Sequence, residues 1–160
     1  CLYGFIPKTY CDTKVAEFAR EKTGRDNIEG DGDPLDICVL SERGFNHVNI
    51  LCEAKVIGGF RMLDGGEADD KIIAVLKNDQ AYGALNDISE MPKMVIDRVR
   101  HFFLTYKDLD GGAKNVEITH VYGRDEAFEV IKRASEDYDA NYGDVNASLV
   151  EALLSAVSVK

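Results

Sequence analysis

The runs of β-branched residues in this chain come first and most of its helical stripes come afterwards, an order that constrains the fold more than any other feature. Ile37, Val39 and Leu40 make a short strand candidate, β-branched residues recur from Val48 to Arg61, and Ile72-Ile73-Ala74-Val75-Leu76 forms another run. Gly58-Gly59 predicts a bend or bulge of the kind found where a strand curves. From Pro92 onward, Val95, Val99, Phe103 and Tyr106 recur every three or four residues as the apolar stripe of a helix. A glycine-containing connection, Asp108 to Lys114, leads to Val116, Ile118 and His120, which alternate with Glu117 and Thr119 as in a half-buried strand. Residues 124–138 read as a further helix, and Leu149, Val150, Leu153, Leu154 and Val157 mark a last helical stripe over 145–158. Strands grouped ahead of helices favour an α+β fold over a regularly alternating βαβ sheet. Before the strands, residues 1–11 read as an extended segment ended by Pro7, and residues 12–33 as a polar loop containing a short helical piece, Val15 to Arg20.

At 160 residues the chain has the size of one domain, and it carries neither an internal repeat nor a low-complexity tract. Acidic residues outnumber basic ones 29 to 19, a formal net charge of -10 that argues against a phosphate-binding surface for DNA or RNA. An acidic protein still binds polyanions locally where metal ions neutralise its carboxylates. No apolar run approaches the roughly 20 residues that cross a bilayer, so no membrane partner is expected and a cytoplasmic location is the default. Cys1, Cys11, Cys38 and Cys52 form no close pair of the zinc or redox type and read as buried thiols. His47, His101 and His120 lack metal-site spacing and read as structural or surface side chains. The chain opens on Cys1 beside the apolar segment Leu2-Tyr3-Gly4-Phe5-Ile6-Pro7 and reads as if cut within a domain.

Two acidic words carry the chemistry. Asp31-Gly32-Asp33-Pro34-Leu35-Asp36-Ile37 places three carboxylates directly before a strand, and Asp64-Gly65-Gly66-Glu67-Ala68-Asp69-Asp70-Lys71 separates two strand candidates. A lone aspartate in such a turn is ordinarily a surface residue. Several that converge at a strand mouth repel one another and call for hard divalent cations with oxygen ligands, chiefly magnesium or manganese. A calcium loop fits less well, because the first word lacks the EF-hand's donor spacing and terminal glutamate. Lys71 adds a positive charge, and Thr105-Tyr106-Lys107-Asp108 adds a phenol and an ammonium after the helical stripe. Singly, Tyr106 is an edge aromatic and Lys107 a solvated charge. Together with the acidic loops they favour phosphoryl transfer or hydrolysis over glycoside chemistry, which needs neither metals nor a lysine clamp.

These words resemble family I soluble inorganic pyrophosphatases. Residues 31–37, DGDPLDI, match that family's signature, residues 2–7 resemble its NYGxIP segment with Leu2 in place of asparagine, and residues 101–109, HFFLTYKDL, resemble its HFFxxYKDL stretch. The resemblance runs from residue 1 to about 135 and implies a single pyrophosphatase domain over 1–160 that lacks its N-terminal part. It implies a small closed β-barrel, OB-like with a five-stranded core, and flanking helices. It implies magnesium-dependent hydrolysis of inorganic pyrophosphate to two orthophosphates by metal-activated water, with several Mg2+ ions per site, Mn2+ as a possible substitute and no organic cofactor. Asp31, Asp36 and Asp69 would hold the metals around the attacking water, Asp64 and Asp69 a further metal, and Asp33 would be the general base. Lys71, Tyr106 and Lys107 would contact phosphate oxygens, and Tyr3 would hydrogen-bond near the electrophilic phosphate. Glu67 and Asp70 are acidic neighbours outside that ligand set. The family also uses a lysine, a glutamate and an arginine from a segment ahead of Tyr3, to which no residue here corresponds. A homo-oligomer, hexamer or dimer, is implied. The competing readings are a phosphohydrolase of an organic phosphate and an inactive metal-binding relative.

Overall fold

The computed structural model describes residues 1–46, 49–107 and 115–157. The connection read at Asp108–Lys114, His47, Val48 at the start of one strand candidate, and the side chains of Leu153 and Val157 lie outside the described residues. Strands β1 (Leu2–Phe5), β2 (Glu29–Gly30), β3 (Asp36–Leu40), β4 (Ala54–Asp64), β5 (Glu67–Ala68), β6 (Lys71–Leu76) and β7 (Val116–Gly123) form one sheet. Helices α1 (Thr13–Thr23), α2 (Lys93–Thr105) and α3 (Arg124–Val157) pack on it, with a 3-10 turn at Ile88–Glu90. The long strand β4 is the spine. It pairs antiparallel with β6 and then β5 along one edge and with β7 along the other. Beyond β6 lie β3, in parallel register, and β1, antiparallel to β3.

Both faces of the sheet are covered, which is why β6 reads as a continuous apolar run. Ile72 faces α1 and α3 with Val15, Phe18, Leu63, Ala127 and Val130, whereas Ile73 and Val75 face α2 with Phe60, Met62, Ile96, Val99 and Phe103. The pairing of β4 with β6 slips between Val56 and Gly58, where the glycine pair predicts a bulge. Here glycine is required by close approach. A Cβ on Gly58 would meet the Tyr122 carbonyl, and one on Gly59 would enter the Tyr122 ring.

The closed five-stranded barrel expected from the resemblance is not what forms. The sheet has seven strands among the described residues and remains a strongly curled half-barrel whose edges stand 15 Å apart. Edge strand β1 is four residues long and pairs with β3, and β7 pairs with β4, so no ladder joins the two edges. Helix α2 packs against both instead. Its Phe103 ring lies 5.8 Å from that of Tyr3 on β1 and 6.2 Å from that of Phe60 on β4, while α2 also contacts β7. Side chains of a helix thus do the filling that a closing ladder would otherwise do.

The helices depart from expectation in two further places. The short piece at 15–20 is a full helix, because Val15, Ala16, Phe18 and Ala19 give α1 a buried face despite its many charges. It stops at Gly24, whose φ of 68° is the left-handed conformation of a helix C-cap. The two helices expected after residue 124 are one, since Gly143 lies within an unbroken α3. A helix tolerates a single glycine at a cost of about 1 kcal/mol.

Candidate active site

The turns that end β4 and precede β3 and β6 gather the acidic words at one end of the sheet. Gly65 and Gly66 both have positive φ, as a type I′ turn demands, and fold Asp64 back toward Asp69 between β4 and β5. Gly32, at φ 71°, turns the other loop, where the Asp33 N–H donates to the Asp31 carboxylate over 3.0 Å. Asp36 opens β3 and Lys71 opens β6, and the parallel register sets them side by side. Tyr3 and Phe5, two residues apart on β1, extend over the same end, and Tyr106 and Lys107 follow α2.

All nine residues that the resemblance implicates, Tyr3, Asp31, Asp33, Asp36, Asp64, Asp69, Lys71, Tyr106 and Lys107, line one cavity of about 390 Å³. Phe5, Pro34 and Glu67 complete its wall. Sequence reasoning did not single out Phe5, although its spacing from Tyr3 on a strand would have found it. Glu67, placed outside the ligand set, is nevertheless at the cavity's rim.

Six carboxylates line this cavity against two ammonium groups, an excess of four negative charges. The Lys71 ammonium binds both Asp36 and Asp69, and that of Lys107 binds Asp64. Burial would lower the Lys71 pKa, but the Asp69 and Asp36 carboxylates outweigh it and hold the group above the ordinary lysine value. Tyr3 donates from its hydroxyl to Asp36 over 2.5 Å, and burial followed by that bond raises its phenol. Asp31 is pushed up to about 7, first by burial and then by the charges of Asp69 and Asp33, against the opposing Asp33 N–H bond. Asp70, between Asp69 and Lys71 in sequence, faces away from the cavity and is fully buried against Arg61. Burial raises it to about 6 while Arg61 pulls it back.

Among the described residues no three acidic, histidine or cysteine side chains converge as a ready-made metal cage, the lysines standing between the carboxylates. The donor set still fits magnesium. It is all hard oxygen and in excess of its counter-charge. His101 is exposed, and His120 bonds to Glu126 away from this cavity.

Residues 1–139 match the family model for inorganic pyrophosphatase. The chain belongs to the inorganic pyrophosphatase family. It is a hydrolase, and its reaction is the magnesium-dependent hydrolysis of pyrophosphate. It is 52% identical over 143 residues to an inorganic pyrophosphatase of Chlamydia muridarum, an alignment covering 86% of this chain and 68% of that protein. The crystal structure of an inorganic pyrophosphatase from Thermus thermophilus superposes with a TM-score of 0.69 at 32% identity, over 86% of this chain and 68% of that one. A recombinant inorganic pyrophosphatase from T brucei brucei superposes at 0.76 and 27% identity, over 90% of this chain and 41% of that one.

Proposed function

We propose that the chain performs this hydrolysis with the nine residues of its carboxylate-lined cavity in distinct roles. Asp31, Asp36, Asp64 and Asp69 hold the metals, several Mg2+ ions per site, with Mn2+ able to replace them. Magnesium bound there neutralises pyrophosphate charge and acidifies the attacking water. Asp33, at the turn between the two ligand aspartates of its loop, orients that water and accepts its proton as general base. The water oxygen forms a bond to one phosphorus as the bond from that phosphorus to the bridging oxygen breaks, leaving two orthophosphates. Lys71 and Lys107 are placed to exchange carboxylate partners for phosphate oxygens, and Tyr3 and Tyr106 to donate from their hydroxyls. Phe5 and Tyr106 wall the cavity.

The observation that carries this assignment is the convergence of the two acidic words and both lysines on one cavity. The test is phosphate release from pyrophosphate, from a nucleoside triphosphate and from a sugar phosphate, each with and without magnesium. Release from pyrophosphate alone, and only with magnesium, is expected, and Asp33→Asn should lower kcat about 10²- to 10⁴-fold with the fold intact. Faster release from an organic phosphate, or an Asp33→Asn variant with full turnover, would overturn the assignment.

A single domain over 1–160 is proposed, supported by apolar packing that links α1 and α3 through the same sheet face. A homo-oligomer is proposed as well, supported by the exposed Tyr142, Val145 and Leu149 on α3. Light scattering after size exclusion decides it. No helix among the described residues is long and apolar enough to cross a membrane. The cytoplasmic proposal rests on four free thiols, two of them, Cys1 and Cys52, exposed where the sequence suggested burial.

A further inference from the structure

Among the described residues Arg61 is the largest fully buried side chain, and it pairs with Asp70, the residue between the cavity-lining Asp69 and Lys71. Its guanidinium carbon is 5.0 Å from the centre of the Phe18 ring of α1 and 5.2 Å from that of Tyr122 on β7. One nitrogen, Nη1, is 2.9 Å from Oδ2 of Asp70, and Nη2 donates to Glu126 of α3 over 2.9 Å. The Tyr122 hydroxyl donates to the same Asp70 oxygen over 3.0 Å. Asp70 is therefore fixed between a guanidinium that two aromatic rings hold and a phenol fully inside the protein.

This arrangement is poorly explained by stability. Nε and Nη1 of Arg61 and Oδ1 of Asp70 are buried without an aligned hydrogen-bond partner, although Nη1 makes the ion-pair contact. Buried pairs left incompletely satisfied are commonly replaced by apolar side chains without loss. What the pair does supply is position. Asp69 and Lys71 line the cavity on one side of the chain while Asp70 projects to the other. Any twist of the backbone that spread Asp69 and Lys71 from Asp36 would drag the Asp70 carboxylate off Arg61 and Tyr122.

We propose that Asp70 is a positioning residue, anchored by Arg61 and Tyr122, that sets where Asp69 and Lys71 stand relative to Asp36. The inference rests on the assignment of Asp69 and Lys71 to the reaction. Asp70 touches no reacting atom and acts through its two neighbours.

The discriminating variant removes both charges of the fully buried pair, Arg61→Met with Asp70→Leu, and leaves the partly exposed Glu126 its contact with His120. It is expected to stay folded, with an unfolding temperature no lower than that of Glu126→Gln, to bind magnesium at least roughly tenfold more weakly by calorimetry, and to lose on the order of 100-fold in kcat, the scale of a 1 Å misplacement. Glu126→Gln, which trims the far arm of the same network, should lower the unfolding temperature but keep magnesium affinity and kcat. A double variant that folds and keeps wild-type affinity and kcat overturns the proposal, as does a Glu126→Gln that weakens magnesium equally. If the double variant does not fold, Asp70→Asn, which keeps the side chain's shape, is titrated below its unfolding temperature with the same expected and contrary outcomes. Absence of pyrophosphate turnover by the unaltered protein would instead strike the assignment of the cavity, because the calorimetric reading of magnesium does not depend on turnover.

Discussion

Asp36 opens β3 beside Lys71 and accepts from both Lys71 and Tyr3, so it is the carboxylate on which the cavity's contacts centre. Asp36→Asn should weaken magnesium binding roughly tenfold or more by isothermal titration, since it removes a charged hard donor. Unchanged affinity and stoichiometry would refute its assignment. A second residue acts on stability alone. The Asp87 carboxylate accepts from the N–H of Arg124 at the start of α3 over 2.9 Å and from that of Ser89 over 3.0 Å. These bonds, the Arg124 N–H first, hold its carboxyl below the usual carboxylate range. Its contribution is thus complete above the unfolded value of about 4 and is lost as pH falls through the lower folded value. In urea unfolding the unaltered protein should lose more stability than Asp87→Asn on acidification below about pH 4. Parallel losses would count against it. The aspartates of the cavity were legible because glycine and proline spelled out their turns. Arg61 was not, because in a single sequence a strand arginine looks the same whether it faces solvent or, as here, is buried against a carboxylate.

Among elements, α1 shows how a distant side chain completes a local structure. Asp12, the residue before the helix, makes no side-chain cap. Asp137, four turns into α3, accepts from the N–H groups of Asp12, Lys14 and Val15 over 3.0 to 3.1 Å. Asp137→Ala should cost about 2 kcal/mol and lower Tm by several degrees in a chain of this size, whereas Asp12→Ala should cost less. Equal losses in thermal unfolding would mean that α1 is capped locally after all. This cap explains why the helix was read from its sequence as a turn in a loop. Its terminal signal lies more than a hundred residues away, beyond any window of local pattern. Helix α2 was legible because its stripe and its Pro92 start are both local. The continuity of α3 was not, because a polar stretch around Gly143 looks the same inside a helix as between two.

At the scale of the molecule, a net charge of -10 and a cavity with four surplus negative charges make divalent cations stabilising ligands. Magnesium and calcium should both raise Tm in the absence of pyrophosphate, by mass action, while magnesium alone supports fast turnover because calcium takes a larger and looser oxygen shell. Comparable steady-state rates with the two ions would refute the distinction. The sequence by itself determined which residues could do the chemistry, for glycine turns, acidic clusters, Lys71 directly after one of them and Lys107 after the helical stripe are local matters of backbone conformation and charge. It also determined most of the strands and the bulge at Gly58, through period and glycine placement. Only the tertiary structure decided that the sheet stays open and that α2 fills its curl. It alone decided too that Arg61 pairs with Asp70 and that Asp137 caps α1. Each of those depends on which distant surfaces bury one another, and burial couples residues by shape and volume rather than by their separation along the chain.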